Sequence, residues 1–127
     1  MFGNWREPTG SIIQVARCPS GICLRLISLS TSAPVSTDVH NPDPGLRHRS
    51  LCGLEIGTRF HLSDATHASG GSLYDPKSGN TYHGTMAVEG GILKLRGYVG
   101  MPMFGRTEVW KRVTATAASC IDSHRSE

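Results

Sequence analysis

Apolar and polar residues alternate along most of the chain with a period of two, and where alternating runs meet across a turn their registers agree. Glu89-Gly90-Gly91-Ile92 offers a two-residue Gly-Gly turn, which tolerates positive φ at both central positions. That turn sets Val88 opposite Leu93, Met86 opposite Leu95 and Gly84 opposite Gly97. Asp75-Pro76-Lys77-Ser78-Gly79-Asn80 is a second turn, with Pro fixing φ early and Gly supplying the left-handed residue, and it sets Leu73 opposite Tyr82. Tyr82, Met86 and Val88 share a parity, so both hairpins make the same strand face apolar and leave Thr81, His83 and Thr85 on the other. A slip of one residue would invert every side chain, so the agreement carries information.

The same reading extends toward the N-terminus. Cys18 and Cys23 bracket a hairpin loop that pairs Val15 with Leu26 and Ile13 with Ser28, while Gln14, Ala16 and Arg25 point the other way. Leu54, Ile56, Phe60 and Leu62 then alternate with Glu55, Arg59 and His61. The last run, 105–113, has two readings: either Thr107 and Val109 face inward, or Arg106, Glu108, Trp110 and Arg112 do. The strands fall at about 3–7, 11–17, 22–29, 52–62, 70–75, 80–89, 91–99 and 105–113. Eight antiparallel strands predict an all-β fold, a sandwich or an up-and-down barrel; sequential hairpins with short links favour the single barrel, which also removes exposed sheet edges. Residues 30–50 carry little strand signal, and a connection that long is usually functional or disordered. The barrel domain is expected over 1–113, with 114–127 a tail or short helix.

Composition narrows the picture without changing it. At 127 residues, with 38% hydrophobic and 18% charged residues, the chain is one folded domain and not a disordered one. No apolar run approaches the ~20 residues of a membrane-spanning helix. The net charge of +3 is modest, and no basic stripe interleaved with aromatics points to nucleic acid. Cys18 and Cys23 are placed to form a disulfide across their hairpin, with reduced thiols at a strand end as the rival; the bond would imply an oxidising compartment. Nothing local supports a bond between Cys52 and Cys120. Met1 runs straight into domain-like sequence, so either the protein is cytosolic or a leader has been removed; the cysteines favour removal, and thus a periplasmic or secreted location.

With the strands placed, a set of motifs stands out: Gly3-x-Trp5; Asn41-Pro42-Asp43-Pro44 with Leu46-Arg47-x-Arg49-x-Leu51-Cys52-Gly53-Leu54; and Tyr74-Asp75-Pro76-x-Ser78-Gly79-x-Thr81-Tyr82. Leu93-x-Leu95-Arg96-Gly97-Tyr98-x-Gly100 and Phe104-Gly105-Arg106-Thr107-x-x-Trp110-x-Arg112 complete it. Across residues 3 to 113 the chain resembles the bacterial domain-of-unknown-function family numbered 2147, whose members are usually exported and have a lipocalin-like barrel. It departs before Gly70, where such families often carry an aromatic and this chain has Ala65-Thr66-His67-Ala68-Ser69. The resemblance implies that Trp5 packs at the closed end beneath Arg112 of the last strand, a structural pairing supported by cation–π attraction.

An eight-stranded barrel is just wide enough to be filled by side chains or to hold one small ligand, and the inward aliphatic set suits either outcome. As a cavity wall it would take a small hydrophobic or amphipathic molecule in the bacterial envelope. As a filled core it would leave an envelope structural or protein-interaction module acting through the 30–50 loop. The Asn-Pro-Asp-Pro segment is the candidate mouth or lid, with Asn41, Asp43, Arg47 and Arg49 as candidate ligand-binding residues, unless they cap and pair with one another or with Asp38. Tyr82, Arg96, Tyr98 and Arg106 are further polar candidates near a barrel end. No cofactor is expected, and the six histidines lack metal-ligand spacing. There is no Gly-x-Ser-x-Gly elbow and no phosphate-cradling loop, so no enzyme activity is expected.

Overall fold

The structure, a computed structural model, describes residues 1–33 and 35–114. The expected tail or helix beyond the barrel, together with Cys120, therefore lies outside the described residues. The strands are β1 (Gly3–Arg6), β2 (Ile12–Cys18), β3 (Gly21–Ser28), β4 (Glu55–Asp64), β5 (His67–Asp75), β6 (Asn80–Glu89), β7 (Ile92–Tyr98) and β8 (Arg106–Val113). Each pairs antiparallel with the next, and β8 returns to β1 with Trp5 opposite Arg112, so the sheet closes into an up-and-down barrel.

The β6–β7 register has Val88 opposite Leu93, Met86 opposite Leu95 and Gly84 opposite Gly97, and β5–β6 has Leu73 opposite Tyr82, all as the turns predict. The β2–β3 hairpin differs. Its turn is the tight pair Pro19-Ser20, so Cys18 faces Gly21, Val15 faces Leu24 and Ile13 faces Leu26. The displacement from the expected pairing is two residues, which preserves the inward parity. Cys18 and Cys23 thus sit diagonally, with 5.8 Å between Cα atoms, and they form the disulfide.

Two other departures have local causes. Leu62, expected inside, is exposed. β3 stops pairing with β4 at Ile22–Phe60, so residues 61–64 run past the end of the barrel with only β5 beside them. The register also shifts between Ile22 and Leu24, where Arg59 adopts φ 66°, a bulge that alternation alone does not reveal. In β8 the second reading holds: Trp110 is buried and Val109 is exposed.

One end of the barrel is packed solid. Trp5, Ile22, Leu24, Phe60, Met86 and Leu93 fill it, and Phe60 lies where β5 and β6 have no side chains. A Cβ on Gly84 would sit 2.7 Å from Phe60 Cζ, and one on Gly71 would collide with the same ring. The Trp5 indole N–H donates to the Met1 carbonyl at 2.9 Å, and the Arg112 guanidinium stacks 4.2 Å over the Trp5 ring while donating to the Phe2 carbonyl. This end is closed by backbone and by an indole–guanidinium stack.

Candidate functional site

The opposite end is hollow. A cavity of about 680 Å³ opens between the β1–β2, β3–β4, β5–β6 and β7–β8 connections. Ile13, Leu26, Ile56, Leu73, Leu95 and Trp110 form its walls, and Leu73, which packs with Phe60 over Gly84, marks its floor. The long 29–54 connection supplies more of the wall through Leu29, Val35 and Leu51. That connection is an ordered flank, tied by Leu51 N–H to the Ser36 carbonyl at 3.0 Å and by a bridge between Thr37 and Ser50.

A buried carboxylate holds the connection in place. Asp38 is 0% exposed. One of its oxygens accepts from the Tyr74 hydroxyl at 2.6 Å; the other accepts from Asn41 Nδ2 at 2.9 Å and from Arg49 Nε at 2.8 Å. Burial alone would raise the Asp38 pKa, but the three hydrogen bonds and the Arg49 charge outweigh it and hold the carboxyl below its ordinary range. Burial, with the Asp38 carboxylate as hydrogen-bond partner and nearby charge, pushes the Tyr74 phenol up to about 12. The rest of the segment caps itself: Asn41 Oδ1 accepts from Asp43 N–H, Asp43 Oδ1 accepts from Gly45 N–H, and Arg47 Nε donates to the Asn41 carbonyl. Gly79 of the β5–β6 turn abuts the His40 carbonyl so closely that any side chain there would collide with it.

The mouth carries charge. Glu7 accepts from the Ser11 N–H at 3.1 Å and pairs with Lys77 at 3.6 Å, linking the β1–β2 and β5–β6 connections. Glu108 accepts from the Trp110 indole at 2.7 Å, so its carboxylate is already engaged. Arg106 lines the same mouth with no hydrogen bond or ion pair among the described residues. No three His, Cys, Asp or Glu side chains among the described residues converge as metal ligands do.

Residues 3–112 match the family described as an uncharacterized protein conserved in bacteria, DUF2147. The chain belongs to DUF2147. No curated protein matches the sequence. Among solved structures, protein HP1028 of Helicobacter pylori, described as belonging to the lipocalin family, is similar at a TM-score of 0.79 and 23% identity, over 88% of this chain and 82% of that one. At that identity the likeness shows the lipocalin-like fold alone.

In this DUF2147 chain the eight candidate binding residues separate into three places. Tyr82, Tyr98 and Arg106 line the cavity. Asn41, Asp43, Arg47 and Arg49 are turned into the Asp38 network and the local caps, behind the wall and not into the cavity. Arg96 lies outside it and donates to the Pro102 carbonyl at 2.7 Å and to Thr107 Oγ1 at 2.9 Å. Sequence reasoning passed over Tyr74, Glu7 and His40 at the cavity, and gave Asp38 no role beyond that of a pairing partner. A hydroxyl, an amide and a guanidinium within reach of one acid mark a buried carboxylate only once the 30–50 chain path is known.

Proposed function

We propose that this barrel binds a small hydrophobic or amphipathic molecule, tail toward Leu73 and headgroup at the mouth. The observation that carries the reading is the cavity of about 680 Å³, within the range of small-molecule sites and walled chiefly by aliphatic and aromatic side chains. Arg106 at the mouth, without an ion-pair partner among the described residues, suits an acidic headgroup such as a carboxylate. The rival reading, a filled module working through the 30–50 loop, has less support because that loop is spent as cavity wall. Binding is favoured over catalysis because the carboxylates that line the cavity, Glu7, Asp75 and Glu108, are each held by fixed partners. The Cys18–Cys23 disulfide supports an oxidising compartment, consistent with an exported protein of the bacterial envelope.

Native mass spectrometry of freshly purified protein, followed by denaturing extraction, tests the reading. A lipid-sized adduct, or a rise in melting temperature with a fatty-acid panel, is expected. Gly97 faces the cavity with its nearest neighbour atoms at ordinary contact distance, so Gly97→Phe should fill the space and abolish both signals while the barrel stays folded. A wild-type protein that carries nothing and responds to no member of the panel would sink the proposal.

A further inference from the structure

The connection from β7 to β8 presents an apolar surface that packing within the barrel does not require. Phe104 is 74% exposed, Met103 71%, Val99 66% and Met101 58%. The segment is nonetheless ordered. Pro102–Phe104 forms a 3-10 turn, Phe104 N–H donates to the Met101 carbonyl, and the Arg96 guanidinium braces the loop through the Pro102 carbonyl. Val99 and Phe104 also line the cavity, so the apolar lip is continuous with its mouth.

Within the lip segment itself the charge is one-sided. Between Leu95 and Thr107 there are two arginines and no acid. Arg96 donates only to neutral acceptors and Arg106 has no acidic partner among the described residues, so both positive charges stand uncompensated. Of the mouth acids, Glu7 is paired with Lys77; Asp75 and Glu108 accept only from neutral donors and keep their charge, but neither forms an ion pair with Arg96 or Arg106. An apolar tip flanked by arginines matches the interface of an anionic bilayer, where apolar side chains enter the acyl boundary and cations meet lipid phosphates.

We propose that the 99–105 lip docks this protein on an anionic phospholipid surface and holds the cavity mouth against it. Met101 and Met103 enter the interface and Arg96 and Arg106 face the headgroups. The inference builds on the ligand reading, for which it supplies a route of loading, yet it can fail separately.

The test is co-sedimentation with vesicles of phosphatidylcholine alone and of phosphatidylcholine with phosphatidylglycerol. The wild-type protein should sediment with the anionic vesicles, several-fold less in high salt, and poorly with the neutral ones. Met101→Ser/Met103→Ser should reduce partitioning at least ten-fold while ligand stabilisation in solution persists, since neither methionine lines the cavity. Arg106→Gln should reduce it about five-fold. Gly97→Phe should still sediment, which separates docking from cavity binding. The proposal is overturned if wild-type protein ignores anionic vesicles, or if the methionine variant sediments as wild type does. It is overturned equally if the lip instead mediates a concentration-dependent dimer that the same substitutions dissolve.

Discussion

The two ends of the barrel are built from the same alternating strands and come to opposite results. At the closed end, glycines at 71 and 84 make room for one large ring, Phe60, and Met86, Leu93, Ile22 and Leu24 close around it. At the open end aliphatic positions are joined by polar ones such as Tyr82, Arg106 and Glu108, and among the described residues no side chain fills the centre, which leaves a cavity of about 680 Å³. The strand pattern is common to both ends; what differs is the size of a few inward residues and the connections overhead. Two-residue turns cap the closed end, whereas the open end is roofed by a long loop that needs its own buried carboxylate.

If the closed end supplies the stability and the open end the site, truncating the floor should cost most. Phe60→Ala is expected to destabilise the fold by about 3–5 kcal/mol, the range for a fully buried aromatic that leaves a cavity behind. Denaturant titration measures it. A loss below about 1 kcal/mol would mean that the two ends are not distinct, because the floor would then be as loosely packed as the mouth.

The open end has one strong point, and it is polar. Asp38→Asn keeps the shape but removes the charge that Arg49 and Tyr74 surround; a loss of about 2 kcal/mol is expected, as for hydrogen bonds to a charged group. The pH dependence follows from the sign of the shift. The Asp38 pKa is depressed in the fold, so its contribution is present above the unfolded value near ~4 and is lost as pH falls through the folded value. Tyr74 has the opposite sign: its contribution is present below the unfolded value near ~10 and is lost as pH rises through about 12. The share of the acid limb that Asp38 supplies should be missing from the pH–stability profile of Asp38→Asn. Hydrogen exchange at the amides of 38–51 should rise in that variant while β5–β7 stay protected.

The disulfide tests the closed end from its rim. Cys18 and Cys23 enclose a short loop, so reduction should cost no more than about 2 kcal/mol and leave the cavity intact. Melting under reducing conditions, with and without ligand, reads both effects at once; a ligand response that vanished on reduction would show the ends to be coupled.

How much of this was legible follows from what each feature depends on. The β5–β6 and β6–β7 registers are local, set by Gly90-Gly91 and by Pro76 with Gly79, and they read correctly from the chain. The β2–β3 hairpin misread by two residues because Pro19-Ser20-Gly21 permits both a wider and a tighter turn, and parity cannot tell them apart. Leu62 misled because alternation says which face a residue takes but not whether the neighbouring strand extends far enough to cover it. The face of β8 was undecidable because Thr107 and Val109 are as apolar as Arg106 and Glu108 are long. Trp110 needed a buried place and decided it. Asn41, Asp43, Arg47 and Arg49 drew notice as a polar cluster, but their partner Asp38 precedes the motif, and Tyr74 lies on a distant strand. Side chains that bond within one loop and side chains that await a ligand have the same composition. The cavity itself depends on the summed volume of inward residues from seven strands and the connections between them, which no local pattern reports.

The boundary between the two ends can be placed on a single rung. Gly84 and Gly97 are cross-strand partners, with the same residue type and the same inward parity. At Gly84 an added methyl would lie 2.7 Å from Phe60 Cζ and 2.8 Å from Leu73 Cγ, so Gly84→Ala must displace the floor and should cost about 1–3 kcal/mol. At Gly97 the nearest atom is Tyr82 Cβ at 3.5 Å, an ordinary contact, with the cavity beyond. Gly97→Ala should therefore be neutral, or stabilise by up to about 1 kcal/mol through the lost freedom of the unfolded chain. A matched pair of denaturation curves compares them. Equal losses would move the floor up past this rung and shrink the cavity; the expected asymmetry would fix the floor between β6 and β7, directly below the cavity.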